Sequence, residues 1–219
     1  AIEAPELLIA CMNTAIVPML HGSPACGKSS IVQQIAEKNK LKLIDLRLSQ
    51  CDPLDLQGMI FFNENNTKAG YVPMDSFPIE GDPIPAGHNG WLLFLDEINS
   101  APLSVQAASY KLILDRAIGQ YKLHDKVYVV AAGNLATDKA IVNRMSTAMQ
   151  SRLAHFELAV DHTAWLHWAE KEEIDHRILS YIRFKPDMLN KFNPNHNDYT
   201  YASPRTWHMA SRLVKNKEL

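Results

Sequence analysis

Apolar residues along this chain fall into two kinds of run. Residues 15–20 (Ala-Ile-Val-Pro-Met-Leu), 91–95 (Trp-Leu-Leu-Phe-Leu) and 127–132 (Val-Tyr-Val-Val-Ala-Ala) are short blocks without helical spacing. Such blocks predict strands buried on both faces, although Pro18 is unusual inside a central strand. Residues 41–46 alternate loosely and 154–160 cleanly, which predicts two more strands. Helical spacing lies between them. Ile31, Val32, Ile35 and Ala36 mark a helix ending near Asn39; Val105, Ala108, Leu112 and Leu114 mark another from Ser100 to about Asp115, closed by Gly119. Pro5 to Met12 reads as a short helix with Leu7, Leu8 and Cys11 on one face, in a position to pack near a base ring. Asp52 before Pro53 caps a further short helix, and 137–152 reads as helical in part. Strands alternating with helices predict an α/β fold, with a five-stranded parallel sheet between helices.

The alternation stops near Asp161. Residues 161–169, 173–184, 187–192 and 204 onward all read as helical, around a polar loop at 193–198. This predicts a core over 1–160 followed by a small all-helical lid over 161–219, with Ser203 and Pro204 opening its last helix. Residues 58–90 break the pattern inside the core. Two apolar stretches, Met59 to Phe62 and Tyr71 to Met74, flank an Asn-rich polar turn, and a Pro-rich stretch follows. The expectation is an inserted hairpin that protrudes to touch a substrate, because long insertions in compact domains usually carry function.

The chemistry concentrates after the first strand. Gly22, Ser23, Pro24, Ala25, Cys26, Gly27, Lys28 and Ser29 fit G-x-x-x-x-G-K-[ST], a phosphate-binding loop between a strand and a helix. Gly22 and Gly27 are expected to take backbone angles that a Cβ would block, so that N–H groups turn inward around phosphate oxygens. Lys28 is placed for β- and γ-phosphates, and the Ser29 hydroxyl for Mg²⁺. The apolar strand at 91–95 ends in Asp96 and Glu97. After a phosphate loop, such a pair reads as a magnesium ligand followed by an acid that polarises water. Asn134, just past another buried strand, is expected to orient that water or sense the γ-phosphate.

Composition adds limits. A formal net charge of −2 gives no electrostatic argument for nucleic acid as main partner. Cys11, Cys26 and Cys51 are widely spaced and read as free thiols of a reducing compartment. With no membrane-spanning run and no signal peptide, the expected location is the cytoplasm. The histidines show no metal-binding spacing. Trp165 and Trp168 share a helix and are expected to pack the lid against the core rather than stack on a base.

The series resembles the AAA+ ATPases, most closely their MoxR and dynein-related branch. The motifs that carry the likeness are 22–29, 92–97 with the extension Asp96-Glu97-Ile98-Asn99, and Asp52-Pro53-Leu54-Asp55-Leu56-Gln57-Gly58. The resemblance implies that Lys28 and Ser29 hold phosphate and Mg²⁺, Asp96 holds Mg²⁺, Glu97 activates water and Asn134 is sensor 1. It implies that Arg205 is sensor 2. Arg152 would be an arginine finger offered to a neighbouring subunit, with Arg144 its rival. It further implies magnesium-dependent ATP hydrolysis in a homo-oligomeric, hexameric ring that remodels protein partners as a chaperone does. An assembly module with little turnover, or a motor on nucleic acid, are the alternatives; a GTPase lacks its N-K-x-D signature. The chain ends at Leu219, soon after the helix of Arg205 and with a charged tail at 215–219, as a truncated piece or a minimal ATPase would.

Overall fold

The computed structural model describes residues 4–138, 142–195 and 197–216. Residues 139–141 of the stretch expected at 137–152, residue 196 of the loop expected at 193–198, and residues 217–219 of the charged tail expected at 215–219 lie outside the described residues. The chain opens with α1 (Ala4–Asn13), β1 (Val17–His21), α2 (Lys28–Lys38) and β2 (Leu41–Arg47). Next come α3 (Pro53–Gln57), the hairpin β3 (Met59–Phe62) and β4 (Ala69–Val72), then β5 (Gly90–Asp96) and α4 (Leu103–Leu114). A second small hairpin, β6 (Ala117–Ile118) and β7 (Tyr121–Lys122), precedes β8 (Val127–Gly133), α5 (Thr147–Gln150) and β9 (Leu153–Glu157). The helices α6 (His162–Lys171), α7 (His176–Phe184) and α8 (Pro204–Asn216) follow.

Five strands form one parallel sheet in the order β2-β5-β8-β1-β9. All seven residues of β5 are buried, which is why its sequence is an unbroken apolar run. Successive side chains serve opposite faces. Leu93, Leu95, Val129 and Ala131 join the cluster containing Val105, Ala108 and Leu112 of α4, whereas Leu92, Phe94, Val130 and Ala132 meet Leu8 of α1 and Val32, Ile35 and Ala36 of α2. The edge strands β2 and β9 alternate instead, because they have one strand neighbour and more solvent. Helices α6 and α7 have a buried cluster of their own around Trp165, Ala169, Ile178 and Ile182, with Trp207 and Ala210 of α8 against it.

Several boundaries move for local reasons. The first strand begins at Val17 rather than at residue 15, because Ala15 turns left-handed after α1. Pro18 is tolerated in a central strand because pairing with β8 starts only at Met19. The last strand stops at Glu157 instead of reaching 160: its partner residue His21 ends β1, so nothing remains to pair with. Gly119 does not close α4, which ends at Leu114; it sits in the turn between β6 and β7. In 187–192 there is only a 3-10 turn, Pro186–Met188, since the Lys191 amide bonds to the Ala202 carbonyl at 2.9 Å. Among the described residues of 137–152, the helical part is α5, with a 3-10 turn at Ala136–Asp138. Among the described residues, no helix is long and apolar enough to cross a membrane.

The hairpin β3–β4 inverts the usual distribution of polarity. Met59, Ile60 and Phe62 are more than half exposed, so they contribute little to the core. Leu93→Ala, at a fully buried position, should cost about 2–5 kcal/mol of stability. Phe62→Ala should change it by no more than about 0.5 kcal/mol. Urea midpoints at constant slope measure both.

Candidate functional site

The ends of β1, β5 and β8 face a cavity of about 490 Å³ between the sheet and helices α6 and α8. Ligand pockets for small molecules fall in this range. The loop 22–29 leaves β1 and enters α2 at Lys28. Gly27 has φ 103° and ψ 11°, left-handed backbone that disfavours a side chain. Gly22 has a different reason: its φ is not positive, but a Cβ there would lie 2.7 Å from Cys26 Sγ and 3.1 Å from the Leu158 carbonyl oxygen. Conformational freedom explains only the second of the two glycines.

Lys28 is buried, and its ammonium donates to the Gly22 carbonyl (2.7 Å), the Ser23 carbonyl (3.1 Å) and Asn134 Oδ1 (3.3 Å). Ser29 Oγ donates to Asp96 Oδ2 at 3.1 Å. A hydroxyl beside a carboxylate, next to a phosphate loop, is a donor set that suits Mg²⁺. A further carboxylate stands near: burial, and after it the negative charge of Asp96, pushes the Asp45 carboxyl above its ordinary value. A divalent cation would relieve that crowding. The residues therefore fit the metal that the sequence implies.

Glu97 follows Asp96 with φ 56° and ψ 31°, left-handed for a non-glycine. Its amide donates to Asp96 Oδ1 at 2.9 Å, and its carboxylate accepts from the Ser49 hydroxyl. Two adjacent acids are thereby aimed differently. Asp96 faces Ser29, while Glu97 is held from the 3-10 turn that follows β2.

The cavity lining includes Lys28, Ser29, Asp96, Glu97, Asn134 and Arg205, so six predicted residues from separate segments converge. Pro24, Ala25, Cys26 and Gly27 also line it, whereas Gly22 and Ser23 support the loop from behind. Arg152 is not in the lining. It is exposed, and its guanidinium donates to the Ala148 carbonyl at 2.8 Å. Arg144 is exposed as well. Pro5 of α1 reaches the cavity wall.

Sequence reasoning missed several contributors. Trp165 and Trp168 line the cavity together with Gln34 and His208, although Trp165 is also a center of the lid cluster. The indole of Trp168 meets the His208 ring edge-on at 5.5 Å. Asp138, nine-tenths buried, accepts from Ser23 Oγ at 3.3 Å and so braces the loop. Nothing in the local sequence marks Ser49 or Asp138, since both act through contacts distant along the chain. His21, directly before the loop, stacks on His155 with Nε2 and Nδ1 2.8 Å apart. Burial, His155 and Lys28 together hold its imidazole below the ordinary value, against Glu157.

The family described as AAA domain (dynein-related subfamily) matches residues 18–153. No curated protein gives a significant sequence match. Among solved structures, a "putative ATPase" from Cytophaga hutchinsonii ATCC 33406 is similar at 17% identity and a TM-score of 0.54, over 96% of this chain and 56% of that one. NtrX from Brucella abortus is similar at 12% identity and a TM-score of 0.54, over 100% of this chain and 52% of that one. At such identities the likeness is one of fold, and this chain spans a little over half the length of each.

Burial pushes the Cys26 thiol up, and the Lys28 charge partly opposes that. The reactive thiolate should therefore appear only at higher pH than for an ordinary thiol. A pH profile of Cys26 alkylation should have a raised midpoint, and Lys28→Gln should raise it further. A midpoint at or below that of a free thiol would contradict this loop geometry.

Proposed function

The chain belongs to the dynein-related subfamily of AAA domains, and from that premise we propose that it is an ATPase of the AAA+ class that hydrolyses ATP with Mg²⁺ at the cavity described above, as one subunit of a ring that remodels a protein partner. The observation that carries the site is convergence. Lys28, Ser29, Asp96, Glu97, Asn134 and Arg205 come from the loop, two strand ends and the last helix, yet line one cavity.

In this proposal the core is 1–160 and the helical lid 161–219. The N–H groups of 22–29 surround the phosphates, aided by the positive end of α2. Lys28 neutralises charge on the β- and γ-phosphates, with Asn134 holding its ammonium from the other side. Ser29 and Asp96 hold Mg²⁺, which supplies charge neutralisation on the phosphates when bound. Glu97 accepts the proton of the attacking water, and Ser49 sets where that carboxylate points. Asn134 orients the water, and Arg205 brings the lid onto the γ-phosphate. The indoles of Trp165 and Trp168 offer an apolar wall for the base.

Arg152 stands outside its own cavity, on the surface. That position suits a finger given to a neighbour's nucleotide, where it would stabilise charge as the phosphoryl group transfers. The exposed hairpin supports a protein partner over nucleic acid. Its strands present Met59, Ile60, Phe62 and Tyr71, and neither strand contains Lys or Arg. Polyanions need the opposite surface.

Glu97→Gln should lower ATP turnover on the order of 100-fold or more while ATP still binds. Light scattering on that protein with ATP and Mg²⁺ should report a ring. Arg152→Ala should lower turnover on the order of a thousandfold without weakening ATP binding to isolated subunits. Full turnover by Glu97→Gln would sink the assignment of the base. A persistent monomer would leave Arg152 with no target.

A further inference from the structure

Asn99 closes the motif Asp96-Glu97-Ile98-Asn99, yet it touches none of the cavity. It is buried, in the 3-10 turn Ile98–Ser100 directly after Glu97. Its side-chain amide makes a matched pair of bonds with the backbone of Asn134. Nδ2 donates to the Asn134 carbonyl at 2.7 Å, and the Asn134 amide donates to Oδ1 at 3.0 Å. The neighbouring glycine makes room for this. A Cβ on Gly133 would overlap Asn99 Oδ1 and lie 2.6 Å from its Cγ. The Asn99 backbone carbonyl is used too: it accepts from the Asn143 amide at 2.6 Å. Asn143 adds a second tether, with Nδ2 donating to the Ala101 carbonyl at 2.8 Å.

One residue thus joins three segments. Glu97 lies two residues before it. Asn134, which contacts the Lys28 ammonium, is clamped by its side chain. Asn143, on its carbonyl, starts the stretch that leads through α5 to Arg152. That stretch is tied to itself. Met145 and Met149 are buried, the Met149 amide donates to Ser146 Oγ at 3.2 Å, and Gln150 Nε2 donates to the Met145 carbonyl at 2.9 Å. A shift at Asn143 would therefore carry to Arg152 rather than dissipate in a loop.

From this we infer that Asn99 is a positioning residue that couples the phosphate end of the cavity to the segment bearing Arg152. The inference rests on the proposed ATP site, since it needs Lys28 and Asn134 to respond to the γ-phosphate. A bidentate amide on backbone suits this task. It fixes both the distance and the tilt of the Asn134 peptide, which a single bond or an apolar contact would not. When the Asn134 side chain follows the phosphate, its peptide moves the Asn99 turn, and the turn moves Asn143.

The test reads the coupling without needing turnover. Amide hydrogen exchange over 142–153 is compared with and without ATP and Mg²⁺, in Glu97→Gln protein and in the double variant Glu97→Gln, Asn99→Ala. Nucleotide affinity, from tryptophan fluorescence titration, is measured on both. The expected result is an ATP-dependent change in protection over 142–153 in the first protein and at most a third of it in the second, with affinities within about threefold. In turnover with Glu97 intact, Asn99→Ala should lower kcat at least tenfold with KM little changed. Gly133→Ala, which displaces the amide without removing it, should reproduce both effects, so the answer does not hang on one variant's folding. Equal protection changes in the presence and absence of the Asn99 side chain would overturn the inference while leaving the ATP site standing. Failure of the Glu97→Gln protein itself to bind ATP would instead bring down the proposed site and the inference with it.

Discussion

Parallel pairing of β1, β8 and β5 is the constraint on which the site depends. Ala131 has Met19 on one side and Leu95 on the other in the sheet register. Three residues past Met19 is Gly22, three past Ala131 is Asn134, and one past Leu95 is Asp96. The phosphate loop, the polar strand end and the acidic pair therefore emerge side by side, although more than a hundred residues separate the first from Asn134. Ligands gather at the carboxyl ends of strands in open α/β sheets for this reason. The apolar runs that make the strands cohere also place the chemistry.

Opposite charges then crowd into a small space. The buried Lys28 ammonium takes three oxygen acceptors, one of them from Asn134. Asp96, Glu97 and Asp45 bring negative charge to the other side; burial first, and after it the charge of Asp96, pushes the Asp45 carboxyl up. Neighbouring atoms keep these groups apart. Ser29 engages Asp96, Ser49 engages Glu97, and Asn99 fixes the Asn134 peptide. Removing one of these supports would leave the charged residues in place but wrongly aimed, and a misplacement of about 1 Å can cost on the order of a hundredfold in rate.

The hairpin and the lid answer different needs from the sheet. The hairpin leaves its apolar side chains exposed, which the stability of this chain does not explain. The lid has its own small core around Trp165, and the same indole forms part of the cavity wall. Packing among the C-terminal helices and the wall of the cavity thus share a residue.

Sequence alone determined the α/β class, the five strands, the loop 22–29 and the acidic pair, because each rests on a local pattern: a block of apolar residues, fixed glycine spacing, or a carboxylate at a strand end. It located Asp161, Asp52 and Ser203 as caps for the same reason, since a cap bonds to amides two or three residues away. Strand ends were less legible. Where β9 stops depends on where β1 stops, and a partner's length is not written in a strand's own residues. Only the tertiary structure decided that Ser49 restrains Glu97, that Asp138 braces Ser23, that Asn99 clamps Asn134, and that two tryptophans reach the cavity. Those pairings join positions 35 to 115 apart where the separation is largest and most decisive. Hydrogen bonds and ring contacts at such separations leave no periodic trace in the chain; they exist only once the sheet has brought its strand ends together.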